Sequence, residues 1–190
     1  MVIALIGATG LVGKEIIKKL KKNKTFKNFN FLFVASEKNK NKEIVFRNNK
    51  YRIETIEEAI KKKPKYVLFS AGSAVAKKFA ESFTKIGATV IDNSSAFRME
   101  TKYKLIVPEI NGNKITIKDR IIANPNCSTI QLVLSLFQIH KNIGIKRLIV
   151  STYQSVSGSG QKGLDQLQKE EKKEKVKTPT YLKKIYNNAI

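Results

Sequence analysis

The chain begins Met1-Val-Ile-Ala-Leu-Ile-Gly7-Ala-Thr-Gly10-Leu-Val-Gly13, an apolar run that passes into glycines set three residues apart. Val2–Ile6 has the length and bulk of a fully buried strand. Residues 11–20 then place Ile16, Ile17 and Leu20 on one helical face, with Lys18 and Lys19 on the other. A strand, a glycine loop and a helix in that order predict a phosphate-binding turn. One glycine allows the sharp bend, another lets the backbone approach a phosphate, and Gly13 lets helix and strand pack closely. The helix N–H groups then face the anion. The spacing G-x-x-G-x-x-G is one residue wider than the usual dinucleotide fingerprint, so a purely structural turn is the competing reading. The strand–loop–helix context favours the phosphate, with Gly7, Thr9, Gly10, Leu11, Val12 and Gly13 as candidate cofactor contacts.

The same grammar continues downstream. Residues 29–35 read as a second strand, and residues 44–46 and 51–53 as short strands around an Asn48-Asn49 turn. Thr55 caps a helix over Ile56–Lys61, with Glu57 and Glu58 in its first turn, and Pro64 ends it. Tyr66–Phe69 is a strand, Ser73–Lys85 a helix closed by Gly87, and residues 89–91 a strand. Strands alternating with helices at this spacing predict βαβ units, a parallel sheet and right-handed crossovers. The result is a doubly wound α/β fold with ligands at the carboxyl ends of the strands. Residues 105–110 and 121–122 read as extended, residues 145–153 as a strand, and Ser155 to Gly160 as a Gly/Ser loop. Residues 164–175 read as a charged helix with a solvated face. No internal repeat is evident.

Composition narrows the function. A chain of 190 residues, 42% apolar, holds one full domain and part of a second. A single cysteine excludes an internal disulfide and fits a reducing compartment, which predicts a cytoplasmic protein. No apolar run approaches the roughly 20 residues of a membrane span. The apolar start lacks a basic leader and is ended by Gly7, so it is not expected to be a signal peptide. The formal charge of +22 suggests nucleic acid at first sight, yet Arg occurs only at 47, 52, 98, 120 and 147. Base readout and phosphate clamps favour Arg, and aromatic stacking platforms are absent. The charge therefore predicts at most nonspecific polyanion binding that salt abolishes. No metal site is expected.

The one cysteine stands in Asn124-Pro-Asn-Cys-Ser-Thr129, just before an apolar run that reads as a helix to about His140, with Gly144 closing the loop beyond. Pro125, Ser128 and Thr129 suit a helix start. A thiol at that end meets unpaired N–H groups and the positive end of the dipole, a setting that favours thiolate. The competing reading is a small buried cysteine. A nucleophilic thiol on a nucleotide fold suggests an aldehyde dehydrogenase working through a thioester. At the second strand's end, Val34-Ala-Ser-Glu-Lys-Asn39 offers both signs of charge. Ser36, Lys38 and Asn39 could hold the 2′-phosphate of NADP, and Glu37 could instead hold a ribose.

Several segments, in order, resemble the aspartate-semialdehyde dehydrogenase family. They are Gly7 to Gly13, Phe69-Ser-Ala-Gly-Ser73, Val90-Ile-Asp-Asn-Ser-Ser-Ala-Phe-Arg-Met99, Val107-Pro-Glu-Ile-Asn111, Asn124 to Thr129 and Thr152-Tyr-Gln-Ser-Val-Ser-Gly-Ser-Gly160. The resemblance implies a Rossmann-like NADP domain over residues 1–125, then the start of an α+β catalytic and dimerisation domain over residues 126–190. It implies reversible, phosphate-dependent interconversion of L-aspartate 4-semialdehyde and 4-aspartyl phosphate, on the route to lysine, threonine and methionine, by a homodimer. It assigns Cys127 as the thioester nucleophile, Asn126 to the reacting oxygen or phosphate, Gln154 to substrate orientation and Arg98 to phosphate. Gly72, Ser73, Ser157 and Gly158 would line the cofactor site. The family often has Arg-Ser where this chain has Lys38-Asn39. It also uses a histidine acid–base and an arginine of the second domain, whereas His140 is the only histidine here. The second domain is accordingly expected to be interrupted after residues 183–190, with an unpaired sheet edge. The alternative expectation is a catalytically incomplete, NADP-binding remnant.

Overall fold

The hydrophobic runs pair side by side as expected. In the structure, a computed structural model that describes residues 1–189, the elements follow one another as β1 (Val2–Ile6), α1 (Leu11–Lys22), β2 (Asn30–Val34), β3 (Glu43–Phe46), β4 (Asn49–Arg52), α2 (Ile56–Lys61), β5 (Tyr66–Phe69), α3 (Ser73–Lys85), β6 (Thr89–Asp92), β7 (Lys104–Leu105), α4 (Pro108–Asn111), β8 (Ile121–Ala123), α5 (Cys127–Asn142) and α6 (Gln161–Glu171). Six strands form one sheet in the order β2-β1-β5-β6-β8-β7, every pair parallel. From β1 the chain moves to β2 on one side and later to β5 on the other. The switch point of a doubly wound fold therefore lies between β1 and β5.

Alternation along β1 divides the core. Ala4 and Ile6 face the side covered by α2 and α3, where Val67, Phe69, Ala76, Ala80, Phe83 and Val90 are buried. Ile3 and Leu5 face the other side, with Leu20 of α1 and the aromatic group Phe31, Phe33 and Phe46. Thr55 and Glu58 form the reciprocal cap of α2.

The described chain forms two compact units, residues 1–147 and 148–189. In the second unit, α6 does the holding. The buried Gln166 accepts from the backbone N–H groups of Thr180 and Tyr181 (2.7 and 2.9 Å) and donates to the Tyr181 carbonyl (3.0 Å). One turn on, Glu170 accepts from Ile185 N–H and Tyr186 N–H at 2.7 and 2.9 Å.

Several local expectations need correction. The β3–β4 turn is centred on Arg47 and Asn48, not on Asn48-Asn49; both have positive φ (51° and 67°), as two-residue hairpin turns favour. Arg47 accepts that conformation because its guanidinium binds the carbonyls of Phe26, Leu20 and Asn23, closing the end of α1. Extended structure after β7 gives way to α4, whose first residue is Pro108. Residues 145–153 form no strand: among the described residues they pair with no strand, and a ladder needs a partner. The Gly/Ser loop contains a 3-10 turn, Val156–Ser159, and α6 begins at Gln161 rather than 164 and ends at Glu171 rather than 175. Among the described residues no helix is long and apolar enough to cross a membrane.

Candidate active site

The sheet register sets up the site. Val34, Ile6, Phe69, Asp92 and Ala123 are cross-strand partners in one row across β2, β1, β5, β6 and β8. The residues that follow them leave the same edge of the sheet together. They are the Ser36 turn, the Gly7 loop, Ser70 to Ser73, Asn93 and the Asn124 to Cys127 segment.

At Gly7 (φ +89°) the backbone runs so close to β5 that a Cβ would collide with the Ser70 carbonyl. A Cβ on Gly13 would strike the Gly7 carbonyl, which is how the loop and the first turn of α1 nest together. Gly10 caps α1 and Gly72 caps α3, and neither helix receives a side-chain cap. The opening N–H groups of both helices thus depend on solvent or a ligand for a partner. Thr9 and Leu11 are half-buried and Val12 is exposed. Ser36 precedes a 3-10 turn, Glu37–Asn39, and accepts from Asn39 Nδ2 at 3.3 Å. Glu37 pairs with Lys40 at 3.1 Å, and Lys38 is exposed.

The nucleophile candidate occupies the first position of α5. Asn126 is the N-cap, its Oδ1 accepting from Ser128 N–H (3.0 Å) and Thr129 N–H (3.4 Å). Pro125, expected inside the helix start, lies just before the cap because Asn126 takes the capping role. Cys127 is exposed, so the buried-cysteine reading is set aside.

Arg98 is half-buried, with Nε donating to the Asn124 carbonyl at 2.9 Å and Nη2 to the Asn93 carbonyl at 3.0 Å. Asn124 Nδ2 donates to Asn93 Oδ1 at 2.6 Å. Beside this group, Asp92 is fully buried at the end of β6. Burial pushes its carboxyl above the usual range, and the hydroxyl and N–H of Ser94 partly offset that. Asn93 and Asn124 are not among the candidate site residues read from the sequence. Both lie in segments that carry the family resemblance, and each puts a polar side chain directly after a buried strand.

Gln154, Ser157 and Gly158 belong to the second unit. Gln154 is exposed and its side chain lies against Gly158; Ser157 bonds to Ser155, the cap of the 3-10 turn. His140 is near the far end of α5, about 20 Å from Cys127 by helix rise, and its Nδ1 accepts from Ile145 N–H.

A parallel doubly wound sheet with a glycine loop at its switch point and a cysteine-bearing helix at the same edge is a Rossmann-type nucleotide-binding fold. Comparison with known proteins makes the assignment particular. Residues 2–118 match the family model described as semialdehyde dehydrogenase, NAD binding domain, and residues 136–190 match semialdehyde dehydrogenase, dimerisation domain. The chain is 40% identical over 196 residues to the aspartate-semialdehyde dehydrogenase of Aquifex aeolicus, covering 99% of this chain and 57% of that protein. It is 45% identical over 171 residues to that of Helicobacter pylori strain J99, covering 88% and 49%. Among solved structures, aspartate semialdehyde dehydrogenase II of Vibrio cholerae complexed with ASA superposes with a TM-score of 0.90 at 36% identity, over 98% of this chain and 57% of that one. This chain belongs to the semialdehyde dehydrogenase family. It spans about half the length of the curated relatives it matches.

Proposed function

We propose that this chain is an NADP-dependent aspartate-semialdehyde dehydrogenase. It interconverts L-aspartate 4-semialdehyde and 4-aspartyl phosphate through a thioester on Cys127, in the cytoplasm, on the route to lysine, threonine and methionine. The observation that carries the reading is Cys127 at the start of α5, on the sheet edge that also bears the Gly7 loop. The relatives' names and the ASA complex of the Vibrio cholerae protein support the substrate.

The residues present fit a nicotinamide dinucleotide. The backbone of Gly7 leaves no room for a side chain, and the uncapped N–H groups of α1 and α3 suit a pyrophosphate. The pairing of Glu37 with Lys40, beside an exposed Lys38, favours the 2′-phosphate of NADP over a bare ribose. Thr9, Leu11, Val12, Ser36, Asn39, Ser73, Ser157 and Gly158 complete the proposed cofactor set. A bound nicotinamide supplies hydride exchange with the substrate's carbonyl carbon.

The covalent work belongs to Cys127. Its sulfur adds to the aldehyde carbon, holds the acyl group as a thioester, and yields it to phosphate. Asn126 and Gln154 orient the reacting group, and the Arg98 guanidinium, held through Nε and Nη2 by the Asn124 and Asn93 carbonyls, attracts phosphate. The dimerisation-domain match supports a homodimer.

One observation favours a second reading, in which this chain by itself holds NADP without turnover. The only histidine lies about a helix length from the thiol, too far to move a proton there. Mixing the chain with L-aspartate 4-semialdehyde, NADP and phosphate separates the two. Phosphate-dependent NADPH formation, lost in Cys127→Ala, is the expected result. NADP binding with no turnover would replace the first reading with the second.

A further inference from the structure

Resting on the thioester reading, we infer that the Asn93–Asn124 side-chain pair is a positioning latch for Cys127. The two residues are 31 positions apart, yet Asn124 Nδ2 donates to Asn93 Oδ1 at 2.6 Å. Each directly follows a buried strand, β6 or β8, and the parallel pairing of those strands brings them together. Their backbones are tied independently: Asn93 N–H donates to the Phe69 carbonyl at 3.0 Å, and Asn124 N–H to the Asp92 carbonyl at 2.8 Å.

Arg98 binds the carbonyl of each partner, so the guanidinium and the carboxamide bond close the same gap twice. Cys127 comes three residues after Asn124, through Pro125 and the cap Asn126. Proline fixes its own φ and restricts the residue before it, so an orientation imposed at Asn124 is transmitted stiffly to the helix start. A polar bond between two side chains is also directional, whereas apolar packing of the strands fixes only their separation. The latch thus sets where the first turn of α5 points, and with it the sulfur. Asn93 and Asn124 need touch no substrate; they act through Cys127.

The bond has a donor side and an acceptor side, which gives the test its asymmetry. Asn93→Asp keeps an acceptor opposite Asn124 Nδ2, whereas Asn124→Asp removes the donor and sets oxygen against oxygen. Both add the same charge at nearly the same place. Asn93→Ala and Asn124→Ala are each expected to lower kcat about tenfold, the effect of one lost directional hydrogen bond, with KM for L-aspartate 4-semialdehyde held within about twofold. Asn93→Asp is expected to recover most of the loss seen in Asn93→Ala. Asn124→Asp is expected to recover none, and the double alanine variant to be no worse than either single one.

Amide exchange at Ile130, whose N–H makes the bond to the Asn126 carbonyl, provides a readout without turnover. It should speed up in Asn124→Asp and return toward the parent rate in Asn93→Asp. Equal behaviour of the two aspartate variants, in kcat and in exchange, would overturn the latch. So would additive losses in the double variant. A parent chain without turnover would overturn the proposed activity alone, and the Ile130 exchange pattern would still decide the latch.

Discussion

Residues 1–147 and residues 148–189 are held by different forces. The first unit is a sheet filled on both faces: Phe33, Phe69, Phe83, Leu5, Val67 and Val90 have essentially no surface left. In the second, Ile185 is the one buried hydrophobic residue among those described, and the chain is tied to α6 by the carboxamide of Gln166 and the carboxylate of Glu170. One unit is stabilised by surface removed from water, which grows with area and has no preferred direction. The other relies on a few directional bonds, each replaceable by water at small net cost when exposed. The difference teaches where each unit is vulnerable: the first to lost volume, the second to single polar atoms and to pH.

The largest effect should come from volume. Phe83 is fully buried and meets Phe69 edge-on at 5.8 Å between ring centres. Phe83→Ala should cost about 3–5 kcal/mol, read by denaturant unfolding of the first unit. A loss below about 1 kcal/mol would mean the core collapses around the gap, against the packing account.

The matching change in the second unit is Gln166→Ala, which strands two N–H groups and a carbonyl on residues 180 and 181. A loss of about 1–3 kcal/mol should show as faster amide exchange over residues 180–186, with unfolding of the first unit unchanged. Equal destabilisation of both units would break the comparison.

Acid should separate the units by sign. Hydrogen bonds from Gln166, and then from the Tyr186 and Ile185 N–H groups, hold Glu170 below its ordinary value of 4.5. Its contribution is therefore present above about that pH and is lost as pH falls through the lower folded value. Protection of the residue 185 and 186 amides, relative to their intrinsic exchange rates, should fall on acidification, and Glu170→Gln should flatten that response. Asp92 runs the other way. Burial raises its carboxyl above 3.8, so its contribution is present below that pH and fades as pH rises through the folded value. Asp92→Asn should remove this smaller slope from the first unit's unfolding, checked by melts across acidic pH.

Legibility followed the same division. The bounds of β1, α2, β5 and α3 were readable because local signals agree there: buried runs, the Thr55–Glu58 cap, and helix ends at glycine or proline. Residues 145–153 differ from the sequence expectation because their apolar sequence satisfies strand propensity while pairing depends on a neighbour, which sequence periodicity does not contain. The Gly7 loop and Cys127 stand out in the sequence as candidates for chemistry by residue type and order. The Asn93–Asn124 bond was not, since it exists only through the register of β6 on β8. Likewise, Arg47 in the left-handed region makes sense only once the carbonyls at the end of α1 are in place.

The central claim is that Cys127 carries an acyl group on the sheet edge that binds the dinucleotide. Its most direct test is to mix the chain with L-aspartate 4-semialdehyde and NADP in the absence of phosphate, follow NADPH, and measure the intact mass. The account predicts a single burst of NADPH matched by an acyl adduct on Cys127, and release of that adduct when phosphate is added. Continuous NADPH formation without phosphate and without an adduct, or no adduct on a chain that holds NADP, would contradict it.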